Sequence, residues 1–232
     1  MAVAIITGAS RGLGRALAGA LAARGWDLVL DARHAGALKE VAAGLAEHGT
    51  RVEATAGDVT DAGHRAELVA AAGRLGGVDL LVNNAGMLGA ELLVPLAEQP
   101  LEGFRAALEA NLVAPLGLLQ EALPQLRRSA AGAVVNVSSD AAVTAYRTWG
   151  AYGATKAGVD LLSAVLAVEE PRLRVWWVDP GGMRTRMLAA AEPGEDLTRT
   201  PAPEEVAPAF LRLLDERPAS GRYTASALLE ER

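Results

Sequence analysis

The sequence predicts an α/β fold built on a doubly wound parallel sheet. Short β-branched runs alternate with longer Ala/Leu-rich stretches along the chain. With short connections, that alternation means βαβ crossovers. The short runs are nearly continuously apolar, so both faces of each strand are buried, as in a parallel sheet. The first run leads directly into a glycine-rich turn and then a helix pattern.

In chain order, strands are expected at Ala2–Ile6, Asp27–Leu30, Arg51–Thr55, Asp79–Val82, Ala133–Val137 and Arg174–Val178, with a last one near Arg222–Ala225. Helices are expected at Gly12–Arg24, Ala35–His48, Asp61–Leu75, Leu101–Arg128, Tyr152–Leu166 and Pro203–Asp215. Residues 183–203 hold Pro193, Gly194 and Pro201 and read as a mobile loop with one short helix, Thr185–Ala191. No linker or repeat divides the chain, so residues 1–232 are taken as one domain.

Composition narrows the function classes. Apolar residues make up 51% and charged residues 22%, which is globular composition. Against 22 basic residues stand 28 acidic ones, a net charge of −6, which argues against nucleic-acid partners. There are no cysteines, so disulfides, thiolate catalysis and zinc–thiolate sites are excluded. No apolar run nears the roughly 18 residues of a membrane span, and the start lacks a signal-peptide pattern. A soluble, cytoplasmic and bacterial protein is expected. His34, His48 and His64 are expected at the surface, with no metal site.

Thr7-Gly8-Ala9-Ser10-Arg11-Gly12-Leu13-Gly14 connects the first strand to the first helix. Glycines there permit a tight turn, close approach of backbone to a pyrophosphate, and close helix–strand packing. Free N–H groups at the helix start then favour an anion. Gly57-Asp58-Val59 follows the third strand, and Asn83-Asn84-Ala85-Gly86 the fourth. Both lie at carboxyl ends of strands, where open α/β sheets bind ligands. On residues alone, Asp58 and Asp61 serve equally as helix N-caps.

Tyr152 and Lys156 are four apart and share one helix face. An adjacent ammonium stabilises a phenolate and draws its pKa toward the working range. Val134-Val135-Asn136-Val137-Ser138-Ser139 reads as a buried strand ending in serines. Asn111 lies inside an Ala/Leu-rich helix, where an amide needs a reason.

This set of motifs resembles the short-chain dehydrogenase/reductase family, whose patterns include T-G-x-x-x-G-x-G, N-N-A-G and Y-x-x-x-K. The resemblance covers roughly residues 2–185. It implies a Rossmann-like three-layer αβα sandwich with strand order 3-2-1-4-5-6-7. It implies NAD(P)-dependent oxidation of an alcohol or reduction of a carbonyl. It assigns Ser139, thirteen residues before Tyr152, to hold the reacting oxygen, Tyr152 to move the proton, Lys156 to tune it and Asn111 to hold a relay water. It assigns cofactor contacts to Gly8, Ser10, Arg11, Gly12, Leu13, Gly14, Arg33, Asp58, Val59, Asn84, Ala85, Gly86, Tyr152, Lys156, Pro180, Gly181 and Thr185.

The family's acidic residue at the end of the second strand is replaced here by Ala32, followed by Arg33. A guanidinium suits a 2′-phosphate, so NADP(H) is favoured over NAD(H). The competing reading has Asp31 turning inward onto the ribose, which favours NAD. Asp179 stands where the family has asparagine. A homodimer or homotetramer is implied, although Lys156–Pro180 is shorter than usual and the C-terminal tail looks short and polar. Met87, Leu88, Trp149, Met183 and Met187 suggest a partly apolar pocket for a small carbonyl or alcohol. A non-catalytic NADP-binding regulator or scaffold is the alternative; it has no need of Asn111, Ser139, Tyr152 and Lys156 together.

Overall fold

The computed structural model describes residues 1–90 and 92–230. Its strands are β1 (Val3–Ile6), β2 (Asp27–Ala32), β3 (Val52–Ala56), β4 (Leu80–Asn83), β5 (Ala133–Val137), β6 (Arg174–Asp179) and β7 (Gly221–Thr224). They form one parallel sheet in the order β3-β2-β1-β4-β5-β6-β7. The helices are α1 (Gly12–Ala22), α2 (Ala35–Leu45), α3 (Ala62–Leu75), α4 (Leu101–Leu108), α5 (Ala114–Leu126), α6 (Gly150–Glu169), α7 (Arg186–Ala191), α8 (Pro203–Glu216) and α9 (Ala225–Glu230).

Strand side chains alternate between two helical layers. Ala4, Ile6, Leu28, Leu30, Val82 and Trp176 pack with α1, α2, α8 and α9. Val3, Ile5, Val29, Leu81, Val134 and Val175 pack with α3, α5 and α6. The result is the expected three-layer sandwich. Of the adjacent tryptophans, Trp176 is fully buried and Trp177 half-buried, because neighbours on a strand face opposite sides.

Three elements depart from the sequence expectation. The helix expected over Leu101–Arg128 is broken by a π-turn at Glu109–Val113 that carries Asn111. Such turns recur at functional sites, because they re-aim side chains without ending the helix. The C-terminal segment is not a short polar tail: α9 follows β7 directly and buries Ala225 and Leu228. Glu231 and Arg232 lie outside the described residues. The third is α6, which extends beyond Tyr152–Leu166 at both ends and is long and apolar enough to cross a membrane by length and composition. Its Tyr152, Thr155, Lys156, Val159 and Ser163 are buried inside the fold.

Candidate active site

Asn111, Ser139, Tyr152 and Lys156 converge at the carboxyl ends of β4 and β5. Asn111 is 1% exposed, and its amide is fully used. Its Oδ1 accepts from the Met87 backbone N–H at 2.8 Å, and its Nδ2 donates to Met87 O at 2.8 Å and Thr155 Oγ1 at 2.9 Å. The side chain therefore ties the π-turn to the loop after β4 and to α6. Thr155 Oγ1 donates in turn to the Tyr152 carbonyl at 2.7 Å. A Cβ placed on Gly86 would come 3.2 Å from Asn111 Oδ1 and 3.9 Å from Lys156 Nζ, so the Asn-Asn-Ala-Gly turn abuts these two side chains.

Lys156 Nζ donates to Val137 O at 2.7 Å and lies 5.5 Å from the Tyr152 ring centroid. Burial pushes its ammonium down to about 8, against an opposing pull from Asp160. Tyr152 departs from expectation. Burial raises its pKa well above the ordinary phenol value, and the charges of Asp179 and Asp140 raise it further, while the Ser139 hydroxyl lowers it. The lowering expected from Lys156 is not found, because desolvation disfavours phenolate and the charges of Asp179 and Asp140 oppose it. The polypeptide alone therefore holds Tyr152 as a neutral phenol.

Ser139 is half-buried, and its Oγ donates to Asp140 Oδ1 at 3.0 Å. Tyr146 Oη donates to Asp140 Oδ2 at 2.8 Å. Ser138, the other serine of the pair, faces away and donates to Asp160. Below the site, Asn83 Nδ2 donates to Asn136 Oδ1 and Asn136 Nδ2 to Ser163 Oγ, each at 2.8 Å, locking β4, β5 and α6 together. Trp149 meets Tyr152 edge-on with ring centroids 5.7 Å apart. The residue before it, Thr148, has φ 71°, a strained value for a β-branched residue. Leu88, Leu93, Ala141, Trp149 and Ala191 form an apolar cluster around Tyr152. Of the other expected pocket residues, Met183 packs against the opposite core and Met187 is exposed.

At the β1–β2 end, Gly8 has φ +67° and Gly12 φ +54°, and a Cβ on Gly14 would meet Gly8 O at 2.5 Å. Only glycine suits this turn. No side chain caps the first turn of α1, so its N–H groups are left for a ligand. A Cβ on Gly12 would come 3.6 Å from Thr185 Cγ2, which places the loop after β6 over the turn. Thr185 Oγ1 itself accepts from Leu188 N as the cap of α7. Thr7 organises the underside. Its Oγ1 accepts from the N–H groups of Asn84 and Ala85 at 2.9 and 3.0 Å, and Asn84 Nδ2 donates to Thr7 O at 2.8 Å. Ser10 and Leu13 lie on the same turn, Leu13 buried.

Arg11 and Arg33 are exposed at this end. Asp58, also exposed, accepts from Thr60 N and Oγ1, and these bonds together with the Arg33 charge lower its pKa. Val59 is buried beside it. Asp61, not Asp58, caps α3. Asp31 turns inward but is consumed by the fold: His64 Nε2 donates to its Oδ1 at 2.7 Å and Gly8 N to its Oδ2 at 3.3 Å. His64 is therefore not the surface residue expected but 8% exposed. Pro180 and Gly181 follow β6, where Gly181 N donates to Asp179 Oδ1 at 2.9 Å.

Comparisons with known proteins show the family and the fold. The short chain dehydrogenase family model matches residues 2–196, and the chain belongs to that family. An uncharacterized oxidoreductase of Escherichia coli is 33% identical over 224 residues, covering 92% of this chain and 86% of that protein. A short-chain dehydrogenase of Shigella flexneri, solved in complex with NADP, superposes with a TM-score of 0.90 at 31% identity, covering 97% of both chains. An alcohol dehydrogenase of the archaeon Thermococcus sibiricus, complexed with 5-hydroxy-NADP, gives a TM-score of 0.87 at 31% identity, covering 97% of this chain and 95% of that one.

Proposed function

We propose that this oxidoreductase uses NADP(H) to reduce a small carbonyl compound or oxidise the corresponding alcohol, with Tyr152 moving the proton. The observation that carries the reading is the convergence of Ser139, Tyr152, Lys156 and Asn111 beside the Gly86 turn. The glycine turn, the uncapped start of α1 and the paired arginines fit a phosphorylated dinucleotide. Asp31 is engaged by His64 and Gly8, which disfavours the ribose-binding alternative and leaves Arg33 to meet a 2′-phosphate. The NADP-bound structures above support the same preference.

When bound, the nicotinamide would supply the hydride for reduction and accept it in oxidation. In reduction the neutral Tyr152 phenol donates its proton to the carbonyl oxygen. Ser139 Oγ turns from Asp140 to donate to the same oxygen and stabilises charge there. Lys156, anchored on Val137 O, holds positive charge beside the ring. Asn111 holds the π-turn and α6 in register, so its side chain positions the relay rather than binding water itself. The apolar cluster around Trp149 and Leu88 favours a substrate with an uncharged face. Exposed Leu161, Val165 and Val168 on α6 and Leu116 on α5 support self-association as a homodimer or homotetramer.

The test is parallel titration with NADPH and NADH, followed by NADPH turnover over a panel of ketones and aldehydes. Tighter binding of NADPH and carbonyl-dependent oxidation support the reading. Preferential NADH binding reverses the cofactor assignment, and binding of neither refutes the function.

A further inference from the structure

Arg222, on β7, is the one side chain that reaches from the last strand under the catalytic serine. Its Nη2 donates to the Ser139 backbone carbonyl at 2.9 Å, across 83 residues of sequence. Its Nε donates to Asp160 Oδ2 at 3.0 Å. Nη2 also lies 3.7 Å from Asp179 Oδ2. Asp160 in turn accepts from Ser138 Oγ and stands one helical turn after Lys156, whose ammonium it favours. The guanidinium thus joins β5, β6, α6 and β7 at a single point, with its side chain 24% exposed and its two carboxylates 13% and 10% exposed. Neither the glycine turn nor the Tyr152–Lys156 pair requires a cation at this place.

We infer that Arg222 is a positioning residue for the proposed reaction: it holds Ser139 in place through the serine's own carbonyl and balances the charges of Asp160, beside Lys156, and of Asp179, which bears on Tyr152. The inference rests on the function proposed above. A planar guanidinium can hold a carbonyl and a carboxylate at once, which an ammonium on a flexible stem does poorly. The charged and titratable groups that bear on Tyr152 are Lys156 on its own helix, Asp140 after β5 and Asp179 on β6, and Arg222 on β7 bears on it through Asp179. Removing the cation leaves Asp179, whose charge already disfavours the phenolate, without its guanidinium neighbour, so Tyr152 ionises at higher pH.

The experiment compares Arg222→Met and Arg222→Lys with wild type. The readouts are kcat, KM, the NADPH Kd, the pH profile of alcohol oxidation and the onset of Tyr152 phenolate absorbance, assigned by subtracting Tyr152→Phe. Arg222→Met is expected to lower kcat about 10- to 100-fold, the scale of a small misplacement of a reacting group. The NADPH Kd stays within about twofold, because the phosphate end is remote from β7. Its pH profile and phenolate onset move to higher pH. Arg222→Lys, which keeps the charge but not the fork, returns the pH position toward wild type while kcat stays low.

Unchanged kcat in folded Arg222→Met overturns the proposal. So does a loss that both variants share in proportion to their melting temperatures with no pH displacement, which is the signature of structural glue alone. Should Arg222→Met fail to fold, Arg222→Lys decides: wild-type kcat in it overturns the proposal. Should wild type turn over no carbonyl, the proposed function fails by itself. The phenolate onset then still tests Arg222, and an unmoved onset in Arg222→Met overturns its role.

Discussion

At the β1–β2 edge the groups offered to a ligand are Arg11 and Arg33, both exposed, and among the described residues neither makes an ion pair. At the carboxyl ends of β4 and β5 Asn111, Tyr152 and Lys156 are buried and tied to one another through Thr155, Met87 and Val137. The first set sits on a scaffold made by backbone: glycines, an uncapped helix start and the Thr7 hydroxyl. Its side chains pay no burial cost and can change without disturbing the fold. The second set is itself part of the core, so its chemistry and its stability are coupled. On the proposed function, cofactor preference in this chain is therefore open to change, while the acid–base group proposed at Tyr152 is not.

The sharpest way to break this contrast is Tyr152→Phe, which keeps the packed ring and removes only the hydroxyl. We expect kcat/KM to fall by roughly 10²- to 10⁴-fold, measured by steady-state NADPH oxidation. Near-wild-type rates would move the proton transfer to another group. Next comes Arg33→Ala. Losing a charge-assisted contact worth about 1.5–3 kcal/mol raises the NADPH Kd roughly 10- to 100-fold and leaves NADH unaffected, read by calorimetric titration. The melting temperature stays unchanged if that edge is as independent of the core as described.

Lys156 sharpens the other side. Its folded pKa is depressed to about 8 from 10.5, so the folded state favours the neutral amine. Between those values the unfolded chain binds more protons, and stability rises with pH. Lys156→Met removes that rise, which denaturant titrations at pH 8 and pH 10 resolve. The smallest effect is that of Asp140→Asn. Removing one of the carboxylates that oppose phenolate lowers the Tyr152 pKa, so the pH profile of alcohol oxidation moves to lower pH. An upward move would mean that Asp140 acts chiefly through its bond to Ser139.

Legibility in the sequence followed the same division. The glycine turn was readable because its reasons are local: consecutive residues make both the bend and the anion site. The buried runs of β1, β2, β4 and β5 named the sheet for the same reason. Tyr152 and Lys156 were readable as a helical pair, but the balance of their charges was not, since Asp179 and Asp140 arrive from other segments. His64 looked like a surface residue because its partner, Asp31, is 33 residues away. The π-turn left no mark in composition, only an amide in an apolar stretch. Arg222 was invisible as a support of Ser139 because nothing local links the two. Asp140 and Thr155 had one weak signal each, adjacency to Ser139 and to Lys156.

The most direct test of separable construction is NADPH titration of Tyr152→Phe under conditions where its turnover is abolished. The account predicts an NADPH Kd within about threefold of wild type, since the phosphate end and the acid–base group use different elements. A large loss of NADPH affinity in that variant would contradict it, because binding and chemistry would then share one structural unit.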